Sequence, residues 1–159
     1  MTHMISKRQF LFAVAATPSL TAFAQNQQVD KGPPLDFLIV KEFVGAAHGK
    51  FERTEEMLAS QPALLNATWD WGGGDFETGL GGASHMGNQE IARFLIGKGA
   101  RMDIFAAAML GELPIVQAMC KAFPNLHRSL GPHKIPLIAH ARRGGPAAAE
   151  VVKFIGSLG

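Results

Sequence analysis

A chain of 159 residues, 47% hydrophobic and 18% charged, is long enough for one packed domain, too short for two, and too apolar for a disordered polymer. Its single cysteine, Cys120, excludes an internal disulfide, and beside Met119 in an apolar run it reads as a small buried hydrophobe. The formal charge of +2 belongs to the first 24 residues, which carry Lys7 and Arg8 and no acid. The remainder holds 13 basic and 13 acidic residues and has no global field to draw in DNA, RNA or anionic lipid.

The N-terminus has the three parts of an export signal: the basic pair Lys7 and Arg8, an apolar run over residues 11–23, and the small-x-small site Ala22, Phe23, Ala24. The run is too short to span a bilayer as a helix, so cleavage after Ala24 and delivery to a bacterial periplasm are expected, with membrane contact only during export. An uncleaved anchor is the alternative. Ser6, Lys7, Arg8, Gln9, Phe10 and Leu11 resemble a twin-arginine signal with Lys at the first arginine position, which leaves the route open between that pathway and the general one. Residues 25–34 are polar, end in Gly32, Pro33 and Pro34, and read as a linker to a folded domain over residues 35–159.

Within that domain a two-helix pattern recurs around Gly49, Gly87, Gly111 and Gly144. Small residues precede each glycine, and an apolar i, i+3, i+4 set follows it: Thr54, Met57, Leu58; Ile91, Phe94, Leu95; Ile115, Ala118, Met119; Val151, Phe154, Ile155. One helix pair cannot bury such a stripe alone, but a stacked neighbour covers it. Proline stops the first and third units at Pro62 and Pro124, each with a leucine placed to pack back, Leu64 or Leu65 in one and Leu126 in the other.

The second unit carries the most specific pattern. Leu80, Ala83, Gly87, Ile91, Phe94, Leu95, Gly99 and Ala100 stand at spacings that resemble an ankyrin repeat, with Gly79 and Gly81 in place of the usual proline and histidine. The resemblance implies an all-α, ankyrin-like helix-pair solenoid of about four repeats with irregular inter-repeat fingers. It also implies a non-enzymatic protein-interaction module without a cofactor, binding an unidentified protein through fingers and inner helices. An irregular helical bundle is the competing fold.

Between the first two units lies the most unusual stretch, with Trp69, Asp70, Trp71, Asp75, Phe76 and Glu77 around three consecutive glycines. It reads either as a recognition finger or as tryptophans folded back over the stack. With His85 and Met86, and with His133 and Lys134 at the tip of the third finger, it forms the expected partner or ligand surface. The alternative function is binding of a small ligand or glycan on Trp69 and Trp71. Catalysis by Asp70, Asp75 and Glu77 is disfavoured because nothing in a glycine-rich loop fixes their separation. No metal site is expected, since no histidine pair has helical i, i+4 spacing; His48 and His85, one repeat apart and each just before a unit's glycine, are the first to test. The last stripe has no polar cap, which allows a monomer or a weak homodimer.

Export as read here predicts that mass spectrometry of protein recovered from the periplasm gives residues 25–159. A chain retaining Met1 in that fraction counts against cleavage.

Overall fold

The computed structural model describes residues 31–159, so the expected export signal and residues 25–30 of the linker lie outside the described residues. Residues Pro34–Gly159 form one unit. It contains, in order, α1 (Phe37–Ala46), α2 (Phe51–Ser60), β1 (Thr68–Asp70), β2 (Phe76–Thr78), α3 (Gly79–Met86) and α4 (Gln89–Gly97). Then come α5 (Ile104–Leu110), α6 (Leu113–Ala122), α7 (Leu137–Arg143) and α8 (Ala149–Gly156). The unit is therefore mostly helical. The departure from an all-helical expectation is the antiparallel pair β1–β2, in which Trp69 lies opposite Glu77.

Helix starts follow local chemistry. Asp36, Thr78, Asn88 and Asp103 each place a side-chain oxygen on main-chain N–H groups that the first turn leaves unpaired, before α1, α3, α4 and α5 respectively. Short 3₁₀ turns at Pro62–Asn66 and Pro124–Arg128 follow α2 and α6 where the sequence places its proline stops.

Each odd-numbered helix packs on the even-numbered helix that follows, and α1, α3, α5 and α7 contact one another in series. Close stacking is possible because these inner helices are rich in small residues; Ala83, Ala106, Ala107, Ala108 and Ala141 are fully buried. The core runs in two clusters, one around Phe43, Leu64, Leu80, Ile91 and Leu95, the other around Val116, Leu137, Val151 and Ile155. Cys120 is buried in the second, and burial pushes its thiol pKa up.

One sequence expectation needs correction. The buried stripe of α6 is Val116 and Cys120 rather than Ile115, Ala118 and Met119; Ile115 is exposed and Met119 only half-buried. Apolar residues at 115, 116, 118, 119 and 120 satisfy helical spacing in either phase, so periodicity alone could not choose the face. In the last unit, Gly144 has an ordinary helical conformation (φ −69°), and Gly145 takes the left-handed one (φ 62°).

At Gly87 and Gly111 the chain does turn left-handed, with φ 75° and 80°. A Cβ on Gly111 would run into the main-chain carbonyl of Ala147. Gly111→Ala should lower stability by at least ~2 kcal/mol, from the left-handed backbone and the clash together. Gly97→Ala, in α4 with open space around it, should raise stability by ~0.5–1 kcal/mol. Urea midpoints for the two variants check both signs.

Candidate metal centre

Glu77 is the middle residue of β2, opposite Trp69 and one residue before the Thr78 cap of α3, so the strand fixes the direction of its side chain. The carboxylate is fully buried, and three imidazoles converge on it from three segments. His48, just past α1, places Nε2 3.3 Å from Oε2; His85, in α3, places Nδ1 2.9 Å from Oε1; His133, in the finger before α7, places Nε2 3.5 Å from Oε2. One donor atom from each of the four residues lies within 4.8 Å of all the others. The rings of His48 and His85 are 4.8 Å apart between centroids, and those of His85 and His133 are 5.0 Å apart.

A second ring of groups holds these four. Trp71 Nε1 donates to Glu77 Oε2 at 2.7 Å. His48 Nδ1 faces the Val44 carbonyl oxygen at 2.9 Å, and His133 Nδ1 faces Asp75 Oδ2 at 2.7 Å. Both acceptors require a proton on Nδ1, so in the neutral ring each Nε2 lone pair points toward the carboxylate. Gly82 clears the space for His48: a Cβ there would stand 2.8 Å from the imidazole. The glycines that weaken the start of α3 by propensity thus admit a ring against its backbone.

Lone pairs facing an anion repel unless a cation sits between them. Protonation of His48 meets this need in part, and the Glu77 carboxylate beside it holds the His48 pKa above its ordinary value. Burial pushes the Glu77 carboxyl pKa up, but His48, His85 and Trp71 outweigh that and bring it down to about 2. Glu77 Oε1 and His85 Nδ1 nevertheless have only each other: they meet as a buried ion-pair contact at 2.9 Å, and neither makes a well-formed hydrogen bond. Buried polar atoms are nearly always hydrogen-bonded, so two that face each other without such a bond mark a position for something else.

Each imidazole stands at a spacing from a Glu77 oxygen that two ligands of one metal ion can have. With bonds of ~2.1 Å, donors on a single ion stand about 3.0 Å apart along an octahedral edge and about 3.4 Å apart in a tetrahedron. The three imidazole–carboxylate distances, 2.9, 3.3 and 3.5 Å, lie around these values.

Of the residues expected at the site, Trp71, Asp75, Glu77, His85 and His133 are brought together here. Asp70 instead accepts from the Gly72 and Gly74 N–H groups and shapes the hairpin turn. Trp69 stacks on Phe37 at 6.4 Å with Lys41 over its ring, and it packs against the core. Phe76, Met86 and Lys134 are exposed and are not among the four converging residues. The expected surface omitted His48, although its position in the repeat frame, matching His85, had singled it out for a metal test.

No family model matches the chain, and no curated protein or solved structure matches it significantly.

The depressed Glu77 pKa means that the carboxylate stabilises the fold above its ordinary pKa of 4.5 and loses that contribution as pH falls through 4.5 toward about 2. In metal-free protein this slope should amount to roughly 3 kcal/mol, and Glu77→Gln should remove it. Denaturant unfolding between pH 2 and 6 measures the slope, and an unchanged slope in the variant refutes the assignment.

Proposed function

We propose that this chain is an exported, ankyrin-like module that binds a divalent transition-metal ion through His48, Glu77, His85 and His133. The observation that carries the reading is the convergence of three imidazole nitrogens on one buried carboxylate, with Glu77 Oε1 and His85 Nδ1 left without a well-formed hydrogen bond. The expectation of no metal rested on spacing along one helix, whereas these four residues come from four places in the chain. Three nitrogens and one carboxylate suit zinc, nickel, cobalt, copper or iron far better than calcium or magnesium, which prefer all-oxygen shells. The ion would replace the proton that His48 otherwise needs and would satisfy both of those atoms. Glu77 would serve as a ligand and stay ionised, so binding rather than turnover is the role assigned.

Serial packing of α1, α3, α5 and α7 supports the ankyrin-like reading, as do the left-handed glycines at 87 and 111, where the repeat frame places its turn between helices. No helix among the described residues is long and apolar enough to cross a membrane. Protein recognition through the fingers remains the second reading, favoured by exposed Phe76 and Leu130 and by half-open Trp71 beside the cluster. A flat glycan platform has less support: Trp69 and Trp71 stand at 79° to one another, and Trp69 is stacked on Phe37.

Calorimetric titration should show one Zn²⁺ or Ni²⁺ per chain and no binding of Ca²⁺ or Mg²⁺. His85→Ala should weaken the affinity by roughly tenfold or more without unfolding the stack, as checked by circular dichroism. Equal affinity in wild type and His85→Ala would sink the proposal.

A further inference from the structure

The third finger is hydrogen-bonded to the hairpin at its tip, and its backbone there is unusual. His133 and Lys134 both have positive φ, 57° and 58°, the only non-glycine residues among those described to do so. Histidine tolerates the left-handed region better than most residues; lysine has no such excuse. The base of the finger is firm, closed by the Gly131 N–H on the Ile135 carbonyl at 2.9 Å and by an isolated bridge between Leu130 and Pro136. Gly131 also lies directly on the His140 and Phe105 rings, where a Cβ would be 3.0 and 3.2 Å from them. What holds the tip is Asp75. One of its oxygens accepts from the His133 main-chain N–H at 2.8 Å, and the other from His133 Nδ1 at 2.7 Å.

This clamp is open to water, with the side chains of His133 and Asp75 35% and 29% exposed. Exposed pairs of this kind contribute little on their own and must work against a two-residue left-handed turn. His133 Nε2 is 3.5 Å from Glu77 Oε2, too far for a hydrogen bond but within reach of an ion that both would ligate. The finger also forms one wall of a cleft of about 560 Å³, with residues 72–75 opposite Leu130, Gly131, His133 and Lys134.

We propose that His133 is a metal-operated latch: an ion on Glu77, His48 and His85 draws the third finger onto the hairpin, and this closure forms the cleft between the two loops. The latch rests on the metal-binding reading above. Asp75 is its positioning residue, presenting His133 Nε2 to the ion while accepting the strained main chain. Metal occupancy then determines whether a binding face exists at this rim, so any partner or ligand of the cleft binds in a metal-dependent manner.

Hydrogen exchange and Zn²⁺ affinity, measured on the same full-length domain, test the latch. Zn²⁺ should slow exchange of the amides in residues 130–136 by more than tenfold while leaving α8 unchanged. Lys134→Gly, which relieves the left-handed turn without touching a ligand, should tighten Zn²⁺ binding by several-fold, on the order of fivefold, because an unclosed finger taxes the apparent affinity. Lys134→Pro, which cannot adopt positive φ, should weaken it to the level of His133→Ala. Zn²⁺ binding to wild type with unaltered exchange, and with both Lys134 variants binding like wild type, overturns the latch and leaves the metal site standing. Absence of Zn²⁺ binding to wild type overturns both.

Discussion

The rim of this molecule is organised by one buried carboxylate. A charge as enclosed as that of Glu77 is destabilising by several kcal/mol unless surrounding groups replace the water it has lost. The replacements come from the end of α1, from α3, from the hairpin's own Trp71 and from the finger before α7. Each of these places is set by the stack. The small inner helices bring α1 and α3 close enough for His48 and His85 to share a carboxylate, and Gly82 removes the atom that would keep His48 away. Interior packing and polar chemistry are therefore one construction problem, solved with the same small residues.

The helix pairs could be read in advance because their apolar residues repeat at helical spacing and their ends carry ordinary punctuation: Asp36, Thr78, Asn88 and Asp103 at starts, Pro62 and Pro124 at stops. Where apolar residues were continuous, as from Leu113 to Cys120 with only Gln117 between, the spacing no longer specified a face and the wrong one was read. The hairpin escaped because its strands are three residues long and flank a run of glycines, which reads as loop. The centre was half legible. Glu77, Asp75 and His133 stand out as unusual residues in fingers, and His85 by its place before a unit's glycine, but their meeting depends on how far each unit rotates on the next. His48 and His133 are 85 positions apart, and no short-range spacing encodes such a pair.

The two tryptophans of the aromatic finger have different settings. Trp69 faces inward as cover, stacked on Phe37 and packed on the core. Trp71, just past the end of β1, faces the cluster, where its N–H donates to Glu77. Asp70 shapes the turn and Asp75 grips the neighbouring finger. The polar side chains of this short glycine-rich segment are thus each engaged with a partner in the fold.

Stacked arrays are stabilised mainly by nearest neighbours, so they fray from either end and lose order one unit at a time. The cluster around Glu77 departs from that scheme, since His48 belongs to the first pair and His133 to the approach to the fourth. Both residues approach the same Glu77 oxygen, so unravelling of the first pair or release of the last finger disturbs the same junction. On the proposed metal-binding reading, an ion at that junction would make an otherwise divisible stack melt as a single body, and its removal would let it melt by stages.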